Sequence, residues 1–228
     1  MNVSPGAAPA FASPRGRFVT FEGGEGAGKS SQVTRLAERL RGRGLDVVVT
    51  REPGGSPGAE CVRHVLLEGA AEAFGPLAEA CLFAAARADH VDRTIRPALD
   101  AGRWVISDRF YDSTRVYQGG GVAPEMVRLL EQVAVDGTRP DLTILLDVPA
   151  EIGLARAGAR RGEGVADRFE KEDLATHERR RLAFLKLAHE EPERFVVVDA
   201  TDDPGTVAEA IWFAVETRLG LAPAERSA

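Results

Sequence analysis

A short segment that combines glycines with a lysine and a serine is the part of this chain best suited to bind phosphate. Residues 23–30 read Gly-Gly-Glu-Gly-Ala-Gly-Lys-Ser and follow a short apolar run at 17–22. In this pattern the glycines let backbone N–H groups face phosphate oxygens, the Lys29 ammonium supplies a positive charge, and the Ser30 hydroxyl is available to Mg²⁺. The pattern predicts a site for a nucleoside triphosphate with Mg²⁺, built from Gly23, Gly24, Glu25, Gly26, Ala27, Gly28, Lys29, Ser30 and Ser31.

Lysine is rare in this chain, and its presence in the glycine-rich segment supports a role there. The chain has 29 basic residues, yet lysine stands only at Lys29, Lys171 and Lys186. A lysine ammonium can follow a moving phosphoryl group, whereas an arginine guanidinium is a rigid planar fork. A glycine-rich turn that matches by chance is the competing interpretation, and the strand before and helix after the segment argue against it.

Two charged residues directly after a later apolar run are candidates for metal binding and catalysis. Asp108 ends the run at 104–107, where a carboxylate can hold Mg²⁺ beside a phosphate loop, directly or through water. Aspartate also forms turns after strands, so this position alone leaves both roles open. Arg109 follows, and its planar guanidinium could bridge the phosphates of donor and acceptor. We therefore predict Asp108 as a metal ligand beside Ser30 and Arg109 as a catalytic residue.

A polar segment rich in glycine and arginine, residues 156–168, lies between two helical patterns and is called the lid below. Phosphoryl transfer spreads negative charge over the migrating group, so a mobile segment that brings cations and excludes water favours the reaction. Arg156, Arg160 and Arg161 are its candidate cations. A solvated surface loop is the alternative interpretation of the same composition.

An aromatic residue and an arginine share one face of a predicted helix. Phe83 and Arg87 are four residues apart, so their side chains project from the same side. A ring with a guanidinium one turn away could stack on a nucleobase and read its edge. A position in the core is the alternative for Phe83.

The bulk composition indicates a globular protein without a basic surface. The 228-residue chain is 44% hydrophobic and has a formal net charge of −6. This charge argues against a nucleic-acid binder. No apolar stretch approaches the ~20 residues that cross a bilayer, so no membrane association is expected. Cys61 and Cys81 lie in apolar helical contexts without metal-binding spacing, so we expect two buried free thiols.

One domain is expected at 17–220, between a disordered extension at 1–16 and a flexible tail at 221–228. The extension is rich in alanine, proline, glycine and serine. It lacks the basic start and continuous apolar stretch of a secretion signal, so a cytoplasmic protein is expected.

Short β-branched runs alternate with longer amphipathic stretches, which is typical of a parallel sheet covered by helices on both faces. The predicted fold class is therefore α/β: a P-loop NTPase with three α/β/α layers, a five-stranded parallel sheet and a helical lid. The first helix should begin near Ser30, and the last at Pro204 with Asp203 as its cap. The turns after the first three strands should face one crevice. The predicted strands are 18–22, 46–51, 103–108, 142–147 and 195–199.

Several motifs together resemble those of the thymidylate kinase (dTMP kinase) family of the bacterial kind. The resemblance covers about residues 17–219. Its motifs are Phe-Glu-Gly-Gly-Glu-Gly-Ala-Gly-Lys-Ser at 21–30, Arg-Glu-Pro-Gly-Gly at 51–55, Leu-Phe-Ala-Ala-Ala-Arg at 82–87, Asp-Arg-Phe-Tyr-Asp-Ser-Thr at 108–114 and Tyr-Gln-Gly-Gly at 117–120.

This resemblance implies transfer of the γ-phosphoryl group of ATP to dTMP, with Mg²⁺, in a homodimer. The products would be ADP and dTDP, a step in dTTP biosynthesis. Matching positions imply that Phe83 stacks on thymine and that Arg87 binds its carbonyl edge. Tyr117 would lie beside the deoxyribose. The other implied acceptor-binding residues are Glu52, Arg63, Arg109, Thr114 and Gln118.

Members of this family differ in where they carry a catalytic arginine. Some have it inside the phosphate loop and others in the lid. Here the loop contains Glu25 followed by glycine and alanine, so the resemblance implies the lid-arginine type. Arg160 or Arg161 would then be the catalytic arginine.

Two other functions are compatible with the same phosphate loop. The first is a kinase for another acceptor, such as dCMP, dGMP or a sugar acid; Phe83 with Arg87 instead favours a pyrimidine that has a carbonyl at its edge. The second is an ATP-dependent switch that hydrolyses slowly and signals to a partner. Such a switch needs neither an acceptor pocket nor an arginine-dense lid.

Overall fold

The computed structural model describes residues 15–68, 70–161 and 169–221. A 3₁₀ turn spans Ala70–Phe74, and a π-helical turn spans Val91–Ile95. The strands are β1 (Phe18–Glu22), β2 (Val47–Arg51), β3 (Trp104–Asp108), β4 (Leu142–Asp147) and β5 (Phe195–Asp199). The helices are α1 (Lys29–Gly42), α2 (Pro57–Leu67), α3 (Pro76–His90), α4 (Arg96–Asp100), α5 (Tyr111–Tyr117), α6 (Pro124–Val135), α7 (Ala150–Arg161), α8 (Leu174–Glu190) and α9 (Pro204–Leu219).

The five strands form one parallel sheet in the order β2-β3-β1-β4-β5. All five strands predicted from the sequence are present, and the second and third begin one residue later, at Val47 and Trp104. The chain moves from β1 to β2 on one side and returns through β3 to β4 on the other, so the strand order reverses next to β1. Ligands of open parallel sheets bind at such a point. The phosphate loop, after β1, and Asp108, at the end of β3, both lie there.

Different helices cover the two faces of the sheet. Val19 and Phe21 of β1 pack with α1 and α9 in a core that includes Leu40. Phe18 lies on the opposite face, in a core with α4 and the start of α5. On this second face α8 packs against β4 and β5 through Phe184. Helices on both faces of one sheet make the three α/β/α layers predicted from the sequence.

The second face of the sheet also buries charged side chains. Asp112 of α5 is fully buried and accepts hydrogen bonds of 2.7 and 3.0 Å from Arg194 and one of 3.3 Å from Arg115. Arg194 also donates to Thr143 of β4 over 2.7 Å. Burial raises the pKa of the Asp112 carboxyl because desolvation outweighs the charges of both arginines. These bonds fix α5 to the sheet.

Helix starts follow the signals read from the sequence. At the start of α9 the Asp203 carboxylate accepts hydrogen bonds from the backbone N–H groups of Gly205 and Thr206, at 2.8 and 3.2 Å. Pro204 takes the first helical position, where its missing N–H costs nothing. α1 begins at Lys29, one residue before the predicted start.

The cysteine prediction was wrong. Cys61 in α2 and Cys81 in α3 are both exposed. The physical reason is that these helices are apolar on more sides than the core covers, as the 48% exposure of Leu77 in α3 shows. Apolar neighbours in the sequence therefore did not identify the buried side of either helix.

Part of the predicted helical lid is helical in the structure. Its first six residues, 156–161, are helical and form the end of α7. Residues 162–168 lie outside the described part, as do 1–14 and 222–228, so the predicted domain bounds stay predictions. Among the described helices, none has both the length and the apolar character that crossing a membrane requires.

Candidate active site

The turns after β1, β2 and β3 open into one cavity of about 240 Å³. Parallel strands explain this convergence, because their carboxyl ends meet at one edge of the sheet. Of the predicted site residues, Gly23, Gly24 and Ser31 do not line the cavity, and the Arg161 side chain lies outside the described part. The predicted residues that line it are Glu25, Gly26, Ala27, Gly28, Lys29, Ser30, Glu52, Arg63, Phe83, Arg87, Asp108, Arg109, Thr114, Tyr117, Gln118 and Arg160.

Two glycines shape the phosphate loop and bring it against α7. Gly26 has φ +68° and Gly28 has φ +90°, a backbone region that residues with a side chain adopt only at a cost. A Cβ at Gly26 would lie 1.9 Å from the carbonyl oxygen of Gly153 in α7. The phosphate loop is therefore in direct contact with the helix that runs into the lid.

The Lys29 ammonium binds backbone carbonyl groups of the phosphate loop. Nζ donates hydrogen bonds to the carbonyl oxygens of Gly23, at 3.0 Å, and Gly24, at 2.7 Å. Burial, and then the charge of Arg109, lowers the pKa of Lys29 from 10.5 to about 8. A bound polyphosphate would supply the negative charge that favours the protonated amine. Lys29 is thus placed to bind an anion.

The Ser30 hydroxyl, in the first turn of α1, contacts the Asp108 carboxylate at the end of β3. Ser30 Oγ donates to Asp108 Oδ2 over 2.6 Å. Mg²⁺ at nucleotide sites is commonly held by one or two protein oxygen ligands together with phosphates and water, so this pair fits Mg²⁺. The described residues contain no group of three or more His, Cys, Asp and Glu side chains that could hold a metal ion by themselves. The donor set therefore suits a metal shared with a nucleotide.

Arg109 connects the phosphate loop to the other side of the cavity. Its guanidinium donates to Glu25 Oε1 over 2.5 Å and to Ser113 Oγ over 3.2 Å. The same Glu25 oxygen accepts a hydrogen bond of 2.8 Å from the Tyr117 hydroxyl. Burial alone would raise the pKa of the Glu25 carboxyl, but the charges of Arg109 and then Lys29 outweigh burial and lower the pKa to about 2. An ionised Glu25 therefore holds Arg109 and Tyr117 in place.

Glu22, the last residue of β1, was missed by the sequence reasoning. Its buried carboxylate accepts hydrogen bonds from the backbone N–H of Phe110, at 2.8 Å, and from the N–H and hydroxyl of Ser113, at 3.3 and 2.7 Å. These groups lie at the start of α5, so Glu22 caps that helix from a neighbouring strand. Burial, and then the charge of Asp112, raises the pKa of Glu22. A carboxylate at the end of a largely apolar strand was the signal available in the sequence.

The predicted base-reading residues come together on the side of the cavity formed by α3 and α5. Arg87 Nε donates to Glu52 Oε2 over 2.8 Å, and Arg87 Nη2 donates to Thr114 Oγ1 over 3.0 Å. Phe83 lies one helical turn before Arg87 and also lines the cavity. Arg87 and Glu52 are both buried, so the guanidinium is held from behind by a carboxylate.

Two further predicted acceptor residues also bind protein groups. Arg63 Nη1 donates to the carbonyl oxygen of Pro53 over 2.5 Å, which places the α2 side chain at the turn after β2. Gln118 Nε2 donates to Glu79 Oε1 of α3 over 2.8 Å, and both side chains are buried. The hydrogen bond therefore fixes the orientation of the Gln118 amide at the end of α5.

The structure separates two of the three candidate lid cations. Arg160 lines the cavity, with its side chain 66% exposed and Nη2 3.7 Å from a Glu170 oxygen. Arg156 instead donates to two carbonyl oxygens in the loop after β5, at 2.6 and 2.8 Å. Arg160 is therefore the described lid arginine that a ligand in the cavity could contact.

Two residues outside the predicted set contact the Tyr117 ring: Arg180 of α8, and Phe169, which precedes that helix and also lines the cavity. The Arg180 guanidinium carbon lies 4.2 Å from the centre of the Tyr117 ring, and the Phe169 ring lies edge-on at 5.4 Å. Sequence reasoning missed both residues, because they are far from Tyr117 along the chain and neither belongs to a phosphate-binding pattern.

The sheet, the phosphate loop and the Ser30–Asp108 pair define a P-loop nucleoside triphosphate-binding protein. The family described as Thymidylate kinase matches residues 21–211. A thymidylate kinase of Bradyrhizobium diazoefficiens is 55% identical over 214 residues, which cover 93% of this chain and 94% of that protein. One from Nitrobacter hamburgensis is 54% identical over 218 residues, 95% of each chain. The chain therefore belongs to the thymidylate kinase family.

Burial of Lys29 predicts a specific pH dependence of stability without nucleotide. Its folded pKa, about 8, lies below the usual 10.5, so between these values the unfolded chain binds a proton that the folded chain does not. The free energy of unfolding should therefore rise with pH across that window. At about 1.4 kcal/mol per pKa unit, the free energy of unfolding of the wild type should rise across this window by on the order of 3 kcal/mol more than that of Lys29→Met.

The measurement is denaturant unfolding of wild type and Lys29→Met at several pH values from 7 to 11. Lys186→Met, which removes an exposed lysine of α8, is the matched control and should show no comparable change. A constant difference between wild type and Lys29→Met across the window would contradict the desolvation of Lys29.

Proposed function

We propose that this protein transfers the γ-phosphoryl group of ATP to dTMP, giving ADP and dTDP, and so contributes a step of dTTP biosynthesis. The observation that carries the proposal is that the phosphate loop, Arg109 and the Phe83–Arg87 pair line one continuous cavity. Membership of the thymidylate kinase family supports the same activity. A kinase for another monophosphate and an ATP-dependent switch are not favoured.

Positioning and charge neutralisation account for the proposed catalysis. Backbone N–H groups at the start of α1 and the Lys29 ammonium bind the donor phosphates. Arg109 lies beside Glu25, where its guanidinium can neutralise charge on the acceptor phosphate and the migrating group. The acceptor phosphate is already ionised near neutral pH, so no general base is required. The protein therefore acts mainly by holding ATP and dTMP so that an acceptor phosphate oxygen lies in line with the γ-phosphorus.

Ser30 and Asp108 would hold Mg²⁺ in this proposal. When bound, the ion supplies positive charge to the phosphate oxygens of ATP. The Ser30 hydroxyl and the Asp108 carboxylate, 2.6 Å apart, are the protein oxygens that support this assignment.

The acceptor pocket is proposed to read a pyrimidine with a carbonyl at its edge. Phe83 stacks on thymine, and Arg87, which can only donate hydrogen bonds, binds the carbonyl oxygen. Tyr117 lies beside the deoxyribose and is fixed by its hydrogen bond to Glu25. The remaining proposed acceptor-binding residues are Glu52, Arg63, Arg109, Thr114 and Gln118.

Acceptor dependence tests the proposed reaction. ATP turnover is measured with dTMP, with dCMP, with dGMP and without acceptor, and dTMP should give the highest rate. Lys29→Ala should lower the turnover number with dTMP by about 10²-fold or more, because it removes a charge that acts on the transferring phosphates. Circular dichroism checks that the variant is folded. Turnover that is independent of dTMP would refute the kinase function.

Arg160 is proposed as a lid cation that acts on the transferring group. Arg160→Ala should reduce the turnover number by about 10-fold to 10³-fold with a smaller change in KM for dTMP, because the interaction forms chiefly in the transition state. Arg156→Ala is the matched control, since Arg156 binds carbonyl oxygens after β5. Equal losses of turnover number in Arg160→Ala and Arg156→Ala would contradict this role. Arg161→Ala, measured in parallel, would then test the other predicted lid arginine.

A homodimer is proposed from the family resemblance and from the exposed apolar side chains on α2, α3 and α6. Leu129 and Val133, one turn apart on α6, are 52% and 69% exposed, and Leu77 on α3 is 48% exposed. Leu129→Asp combined with Val133→Asp should shift the protein to monomer in light scattering, because both changes put charge into an apolar contact. Phe213→Asp on α9, where Phe213 is 70% exposed, should leave the dimer intact. A monomeric wild type would refute the dimer. A cytoplasmic location stays a prediction from the sequence.

A further inference from the structure

A fully buried histidine lies directly behind the base-reading arginine. His90 is the last residue of α3, has no exposed surface and does not line the cavity. Its Nδ1 lies 3.0 Å from Glu52 Oε1, and its Nε2 lies 2.7 Å from Thr50 Oγ1. Both ring nitrogens are therefore engaged by groups of β2 and the turn that follows it.

One carboxylate connects this histidine to Arg87. Glu52 binds His90 through Oε1 and Arg87 Nε through Oε2, at 2.8 Å. Arg87 Nη2 donates to Thr114 of α5, so two sides of the guanidinium plane are fixed. Within the described residues, Nη1 has no hydrogen-bond partner, which leaves its two N–H groups for a ligand.

The neighbouring groups also determine the tautomer of His90. An ionised carboxylate only accepts hydrogen bonds, so neutral His90 must donate to Glu52 through Nδ1. Nε2 then accepts the hydrogen of the Thr50 hydroxyl. We assign this tautomer from the hydrogen-bond partners. The imidazole thus holds the Glu52 oxygen on the side away from Arg87.

The backbone encloses the imidazole tightly. Gly55 has φ +84°, and a Cβ added there would lie 2.4 Å from His90 Nε2 and 2.2 Å from Thr50 Oγ1. The carbonyl oxygen of Gly55 accepts a hydrogen bond of 2.7 Å from Thr94, which lies in the π-helical turn after His90. The turn after β2 and the π-helical turn therefore enclose His90 and restrict its side chain to one orientation. π-Helical turns are frequent at functional sites.

We propose that His90 is a positioning residue for acceptor specificity. By donating to Glu52 it fixes the plane of Arg87, so that the N–H groups of Nη1 meet a carbonyl oxygen of the base. Cytosine presents an amino group at that edge, and two donors facing each other leave a buried hydrogen bond unmade. Without His90 the Glu52 carboxylate and the Arg87 guanidinium can reorient, and the preference for dTMP over dCMP then falls. This inference rests on the proposed dTMP kinase function.

Three substitutions of His90 separate positioning from packing. His90→Asn places an amide N–H near the position of Nδ1 and can still donate to Glu52. His90→Gln reaches the position of Nε2 and keeps the partner Thr50 while losing the bond to Glu52. His90→Leu loses both bonds. His64→Leu, at an exposed histidine of α2, is the matched control.

The measurements are kcat/KM for dTMP and for dCMP, calorimetric binding of dTMP, and the thermal midpoint of each variant. We expect the dTMP-to-dCMP ratio of kcat/KM to fall by about tenfold in the Gln and Leu variants, the effect of one well-placed hydrogen bond. The loss should appear as weaker dTMP binding, with KM for ATP within about twofold of wild type. The Asn variant and the His64 control should keep the ratio within about threefold.

Two results would overturn the proposal: a folded Gln variant with the wild-type ratio, or an Asn variant that loses as much of the ratio as Gln does. If the substitutions at His90 prevent folding, Thr50→Val decides, because it keeps the imidazole and its bond to Glu52 but removes the hydroxyl that holds the other side of the ring. Thr50→Val should then lower the ratio by a smaller factor, and an unchanged ratio with a lower thermal midpoint would assign His90 to packing. Failure of the wild type to phosphorylate dTMP would refute the proposed function instead.

Discussion

The parallel pairing of β1 with β3 is the constraint on which the rest of the site depends. Its register sets Phe21 opposite Asp108, so the residues that follow both strands leave the sheet side by side. The phosphate loop and Asp108 must then share one edge, and the 2.6 Å contact between Ser30 and Asp108 is the local result. A one-residue slip would turn the side chains of β1 to the opposite face and separate these groups.

Charged groups buried behind the cavity hold its walls in place. Glu22 caps α5 from the end of β1, and Asp112 ties the same helix to Arg194. The two carboxylates interact, and burial raises the pKa of both. Buried ionised groups are costly, so their hydrogen-bond partners must stay in position. The short helix that presents Thr114 and Tyr117 is therefore fixed by polar contacts as well as by apolar packing.

The two sides of the cavity share one feature, because on each side a guanidinium in the lining is held by an acidic group. Glu25 holds Arg109 beside the phosphate loop, and Glu52 holds Arg87 on the side formed by α3 and α5. A guanidinium whose plane is fixed in advance loses less conformational freedom when a ligand binds. The anionic nucleotides are thus met by oriented donors, although the chain as a whole has a formal net charge of −6.

The strands, the phosphate loop and the edge of the sheet where the site lies were predictable from local patterns, because they follow from apolar periodicity, glycine spacing and the geometry of parallel strands. The four-residue spacing of Phe83 and Arg87 predicted a base-reading pair, and the motifs shared with thymidylate kinases implied thymine as the base. The folded chain was needed to show that Arg160 lines the cavity while Arg156 does not, that both cysteines are exposed, and that Glu22 and His90 are buried next to the site. These outcomes depend on which side of a helix its neighbours cover and on contacts between residues distant in the chain, and neither is encoded in a local pattern.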